Sequence, residues 1–198
     1  MTDYNDFIHD FPARCRDVLE VAYGPAQAKD REVTLLIMTA TAAFLVPFER
    51  LRAEEHPAQN RQLYPELARQ LDFALREPFL ESPFHDGDPG SWSVGKIDNP
   101  EASTQHKPLT NQPPAGQVLA IIRNSLAHGN LFTIGGRDLP IKALLFFSED
   151  RKNGHRVGYK YVHVSPTDFH GFLVRWLAFL EGMKIPPVVV AQALARTA

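Results

Sequence analysis

The stretch Gln117-Val-Leu-Ala-Ile-Ile-Arg123-Asn124-Ser-Leu-Ala-His128-Gly129-Asn130 carries the most information in this chain. At about 100° per residue, Val118, Leu119, Ile122 and Leu126 fall within one arc of about 100°. Arg123, Asn124 and His128 lie on the opposite side, with the small Ala127 between them. Asn124 and His128 are four residues apart and stack one turn above the other. The pattern predicts a helix over 117–128, capped by Gly129. Its apolar arc needs a core. Its other face offers a fixed cation, an amide and an imidazole beside a residue small enough for close approach. A partner helix or a phosphate fits there.

Upstream of this stretch the chain reads as helices. Asp10-Phe11-Pro12 looks like a helix entry with proline in the first turn. It leads into 13–23, with Val18, Leu19 and Ala22 on one side, and Gly24-Pro25 marks the stop. A long helix is expected over 30–53, with Leu35, Met38, Ala42, Leu45 and Phe48 near helical spacing and Pro47 as a kink. Tyr64-Pro65 opens another, striped by Leu67, Leu71, Ala74 and Leu75. Residues 78–116 are rich in Pro, Gly, Ser, Asp and Asn, and are expected to form a loop insertion.

Downstream, 141–148 and 156–164 are rich in aromatic and β-branched residues around Asn153-Gly154. That predicts a β-hairpin over 141–164. Ser165-Pro166 then reads as an N-cap followed by proline at the first helical position. The helix it opens, 169–180, turns Phe172, Leu173, Trp176, Leu177 and Leu180 inward. A last short helical segment is expected over 188–196. The expectation is one domain over 1–198: mainly α, a helical bundle with a long loop insertion and a small hairpin.

Composition narrows the function. The 198 residues are 44% hydrophobic and 22% charged, with a formal net charge of −2. That excludes a protein that coats nucleic acid by bulk positive charge, so any contact with RNA must come from a local patch. The single cysteine, Cys15, excludes a disulfide framework and fits a reducing cytoplasm, the expected location. The acidic N-terminus is unlike a signal peptide. The apolar run 33–48 is too short for a bilayer and reads as a core helix, so no membrane is expected.

Two apparent motifs fail on context. Gly90-Ser-Trp-Ser-Val-Gly95-Lys96 matches most of a P-loop, but Ile97 stands where a magnesium-binding hydroxyl belongs and no helix follows. It reads as a turn-rich loop. The eight histidines include no metal-binding pair at helical spacing, so neither metal nor cofactor is expected. The hairpin tip, by contrast, gathers Arg151, Lys152, Arg156 and Lys160. Tyr159 and Tyr161 lie on one face of its second strand, where bases could stack.

Arg123-Asn-Ser-Leu-Ala-His128, at the end of an apolar helix in a helical protein, resembles the R-x(4–6)-H signature of the HEPN superfamily. Arg50/His56 and Arg156/His163 also fit the bare spacing, but they lack that context. In ribonuclease members a polar residue commonly follows the arginine, and Asn124 matches it. The resemblance implies a homodimer with two motifs facing one cleft, and metal-independent cleavage of RNA. His128 would take the proton of a ribose 2′-hydroxyl. Arg123 would hold the phosphate and Asn124 would orient one or the other. The products would be a 2′,3′-cyclic phosphate and a 5′-hydroxyl. Such enzymes commonly serve phage defence or toxin–antitoxin systems, with a cognate antitoxin or regulator as partner. Some HEPN toxins carry a modifiable tyrosine two residues after the histidine; Asn130 here departs from that. The alternative is a non-catalytic HEPN module that binds a nucleotide, RNA or a protein partner.

Overall fold

The structure is a computed structural model and describes residues 7–52, 65–86, 89–99, 112–135 and 140–183. The helices are α1 (Phe7–Gln27), α2 (Glu32–Arg52), α3 (Pro65–Ala74), α4 (Ala115–His128) and α5 (Pro166–Gly182). The strands are β1 (Trp92–Ile97), β2 (Leu131–Ile134), β3 (Ala143–Lys152) and β4 (His155–Val164). They form one antiparallel sheet in the order β1-β4-β3-β2. The chain is therefore mixed α/β, and the expectation of a mainly α bundle with one small hairpin is corrected.

Neither added strand is among the expectations from sequence. β1 lies inside the 78–116 insertion, over most of the P-loop-like motif, and is built of small and mixed residues. Its stability comes from β4, where Gly95 opposes Tyr161. A Cβ at Gly95 would meet the Tyr161 ring at 3.0 Å, so only glycine lets the ring lie flat across the pair. β2 is a four-residue run that pairs with the start of β3. The neck of the insertion is closed by backbone bonds: Phe79 N–H to the Pro113 carbonyl and Ala115 N–H to the Glu77 carbonyl. The hairpin forms as expected, with longer strands. Asn153 and Gly154 both take positive φ, as a two-residue turn requires.

α2 is the central helix, and its inward face differs from the expected one. Val33, Leu36, Ala40, Ala43, Phe44, Phe48 and Leu51 are buried, while Met38 is 66% exposed. A helix apolar on most sides leaves the choice of face to its neighbours, and here these are α1, α4 and α5. At 21 residues α2 also has the length and composition to span a bilayer. Its inner face instead packs Phe44 against Phe172 and Trp176. Each such fully buried side chain contributes about 1.5–3 kcal/mol.

Pro47 acts one turn earlier than a simple kink. Residues Ala40–Leu45 form a π-helical stretch. Pro47 has no N–H to give the Ala43 carbonyl four residues back. The Trp176 indole N–H donates to that carbonyl instead, at 2.9 Å. Beyond the π stretch, Glu49 faces α4.

α1 runs through both of its prolines, which fall within two turns of its ends, and Val18 is exposed. The Ser165 cap is as expected, its hydroxyl accepting from the Asp168 N–H at 3.1 Å. The five inward residues assigned to α5 are all buried. The segment 188–196 lies outside the described residues. Buried apolar residues from Ile8 to Met183 form one cluster.

Candidate functional site

α4 lies between α2 and the sheet. Its buried residues are Ala115, Val118, Leu119, Ile121, Ile122 and Ser125. This arc is wider than expected because the sheet covers the Ile121–Ser125 side. The two flanks of the helix therefore face different neighbours. Arg123 and His128, five residues apart, stand about 140° apart around the axis. Arg123 faces α2, and His128 faces the open edge of β3.

On the α2 flank, Arg123 Nη2 donates to Glu49 Oε2 at 2.7 Å and its Nε donates to Glu49 Oε1. The Glu49 carboxylate holds the guanidinium even more firmly charged than usual, chiefly through this hydrogen bond. Arg123 Nη1 donates to Asn124 Oδ1 at 2.6 Å. Among the described residues, three of the five guanidinium N–H groups have a partner. With its Oδ1 taken, the Asn124 amide turns its NH₂ end outward. One fixed network thus runs from Glu49 through Arg123 to Asn124.

On the other flank, Asn124 and His128 line a cleft of about 500 Å³ with Asn130, Ser148, Glu149 and Arg151. Two bonds, one from Ser125 and one from Phe147, tie its walls together. The Ser125 hydroxyl reaches the carbonyls of Ile121 and Phe147, at 2.7 and 2.8 Å. The Phe147 N–H donates to the Asn130 carbonyl at 3.2 Å. Gly129, at φ 69°, makes the turn between them, and the Asn130 N–H returns to the Ser125 carbonyl. β2 pairs with β3 only as far as Phe146. The β3 edge beyond it is therefore the second wall of the cleft.

The hairpin residues separate into distinct environments. Arg151 enters the cleft, with its Nε donating to Glu149 Oε2 at 2.7 Å. Arg156 lies over the Tyr159 ring, 5.3 Å from its centroid. Lys160 and Lys96 share the Asp150 carboxylate. Lys152 is exposed beside the turn. Tyr161 is only 6% exposed and its ring is committed to packing on Gly95. Arg123 is not part of the cleft lining.

Sequence reasoning did not find Glu49, Ser148 or Glu149. Glu49 is the acidic residue that closes the apolar run of α2, and spacing alone reads it as a solvated end. Ser148 and Glu149 join the site only through the sheet. His85, next to Asp86 in the chain, packs edge-on against Phe79 and Trp92. Burial pushes its imidazole below the ordinary range, and Asp86 pairs with Arg175. Among the described residues no group of three or more His, Cys, Asp or Glu is close enough together to hold a metal. Burial raises the Cys15 thiol, which disfavours a reactive thiolate.

A helix ending in Arg-Asn-x-x-x-His, fixed by an acidic residue of a neighbouring helix and opening on a polar cleft, fits the class of HEPN domains. A family model described as HEPN pEK499 p136 matches residues 1–185, and the chain belongs to this HEPN family. Its membership supports an RNA-related role, as a nuclease or a binding module. No curated protein and no solved structure matches the chain.

Proposed function

We propose that this protein is a metal-independent endoribonuclease whose reaction centre is the cleft at the end of α4. The observation that carries the reading is the pairing of His128 with Asn124 on one wall, with Arg123 held behind Asn124 by Glu49. His128 accepts the proton of a ribose 2′-hydroxyl. The 2′-oxygen attacks phosphorus, the bond to the 5′-oxygen breaks, and that oxygen takes a proton from water to leave as a 5′-hydroxyl, His128 returning its own proton to solvent. The other product is a 2′,3′-cyclic phosphate. The Asn124 NH₂ donates to a phosphoryl oxygen as charge builds, while Arg123, behind the cleft lining, positions that amide through Nη1 and adds its positive charge at longer range. A homodimer would bring a second copy of the motif to complete a composite site. Service as a toxin or phage-defence effector, with an antitoxin or regulator as partner, rests on the superfamily resemblance alone.

The test is RNA cleavage in excess EDTA by wild type and His128→Ala, with product ends mapped. The expected result is cleavage by wild type with cyclic-phosphate ends, reduced at least about 100-fold in the variant. Equal cleavage by both would remove His128 from the chemistry. One observation favours the non-catalytic alternative: Glu49 already neutralises Arg123. In that reading His128→Ala changes affinity for RNA, a nucleotide or a protein partner, and wild type turns nothing over.

A further inference from the structure

We infer that the strip of rings formed by Phe132, Phe147 and Tyr159 across β2, β3 and β4 is a platform for single-stranded RNA that delivers a phosphate to Arg151 at the mouth of the His128 cleft. This inference rests on the reading of that cleft as an RNA site. A chain of side-chain contacts crosses the three strands on one face. Phe132 of β2 stacks on Phe147 of β3, with centroids 5.1 Å apart and an interplanar angle of 22°. Phe147 meets the edge of Tyr159 of β4 at 5.7 Å. Arg156 lies over Tyr159 and donates to its hydroxyl at 2.9 Å. Arg156 also approaches Glu149, which holds Arg151. The chain ends inside the cleft that His128 lines.

The chemistry of this face suits one class of ligand. Aromatic rings spaced along a sheet take unstacked bases without reading their sequence. The guanidinium of Arg156, stacked on a ring, extends the same surface. Among the described residues Arg151 is the one Lys or Arg in the cleft lining, and Arg123 stands outside it. Its partner Glu149 is a weak competitor, because Arg151 is 63% exposed and Glu149 one-third, so that water screens the pair. An ion pair so exposed is readily exchanged for a phosphate. The overall charge of −2 leaves this arginine pair to supply the local attraction that bulk charge does not. A duplex, whose bases are stacked on one another, has no use for the rings. Single-stranded RNA uses both rings and cations.

The experiment measures the Kd of full-length protein for a single-stranded RNA carrying 2′-fluoro groups, which cannot be cleaved through a 2′-hydroxyl. The variants are Arg151→Ala, Phe132→Ala and Phe132→Leu. The controls are Arg69→Ala and Phe73→Ala, an arginine and a phenylalanine exposed on α3. The expected result is about a tenfold loss for Arg151→Ala and for Phe132→Ala, with a smaller recovery in Phe132→Leu. Arg151→Ala also lowers the slope of log affinity against log salt by about 0.7. The controls stay within twofold of wild type. Equal affinities for all variants, equal losses in the controls, absence of binding, or tighter binding of a duplex would each overturn the inference. Cleavage of ordinary RNA is scored separately. Binding that depends on Arg151 and Phe132 without any cleavage would end the nuclease reading and leave the platform intact.

Discussion

Glu49 and Arg123, 74 positions apart, meet fork to fork, the carboxylate taking both Nε and Nη2 of the guanidinium. Each side chain is about one-third exposed, at 35% and 32%. The pair thus sits between a surface ion pair, which contributes little, and a buried one, which is costly to break. Its position is more informative than its strength. Beyond the pair, Arg123 Nη1 holds Asn124 Oδ1, so an acid on α2 fixes an amide in the cleft.

Breaking that relay gives the first prediction. Arg123→Ala and Glu49→Ala, measured by urea denaturation, are expected to be non-additive, with a coupling energy of about 1–2 kcal/mol. If the cleft is a reaction centre, Glu49→Gln lowers kcat by about tenfold with KM little changed, because the amide is no longer aimed. Additive stabilities would mean that the two side chains act independently. A change in KM alone would mean that Glu49 serves binding.

Ser125 supplies the second. Its hydroxyl is buried, and it joins α4 to the Phe147 carbonyl of β3 across the back of the cleft. Ser125→Ala removes the donor and leaves that carbonyl short of a partner, at a cost of about 1–3 kcal/mol. The same substitution loosens a side-chain tie between the two cleft walls. Amide hydrogen exchange at Phe147 and Asn130 is expected to rise more than exchange in α5. Uniform acceleration across both regions would make Ser125 a general core residue with no particular hold on the cleft.

How far the sequence reaches can be judged on these same residues. The α4 helix, its Gly129 cap, the Asn153-Gly154 turn and the Ser165 cap are legible because each rests on local chemistry within a few residues. The Arg123–His128 spacing is legible too, and the family match bears out the resemblance drawn from it. The face of α2 is not legible because Met38 and Phe44 are both apolar, and only Trp176 and its neighbours decide that Phe44 turns inward. β1 reads as loop because Ser93, Gly95 and Lys96 carry no strand signal; β4 provides their pairing. Placing Arg123 and His128 on one face was too coarse. The sheet covers one flank and α2 the other, and that division depends on tertiary contacts no single-helix wheel contains. Glu49 stayed invisible for the same reason.

A third prediction follows from Pro47 and Trp176. The indole N–H satisfies the Ala43 carbonyl that Pro47 cannot reach. Trp176→Phe removes this donor and part of a fully buried side chain, and is expected to cost about 3 kcal/mol or more in urea denaturation. In a Pro47→Ala background a backbone N–H is restored four residues beyond Ala43. The same Trp176→Phe change is then expected to cost about 1 kcal/mol less. An unchanged cost in the two backgrounds would show that packing alone accounts for Trp176.

The last prediction concerns acid. The Asp150 carboxyl is held below the ordinary carboxylate range, first by the hydrogen bond from Lys96 at 2.5 Å, against the opposing effect of burial, and further by Lys160 at 3.3 Å. A carboxyl whose folded value is depressed binds its proton more readily in the unfolded chain. Its stabilising contribution is therefore complete above the unfolded value of about 3.9, and is lost as pH falls through the lower folded value. Asp150→Asn removes that contribution and leaves two lysines from adjacent strands, Lys96 and Lys160, facing each other without a counter-charge. The variant is expected to melt below wild type at pH 7, and the gap in Tm is expected to shrink on going to about pH 3 and below. Added salt narrows the gap at pH 7 by screening the lysines. A gap that stays constant from pH 7 down to acid would assign the loss to the strand geometry around Asp150, since a charge effect must titrate.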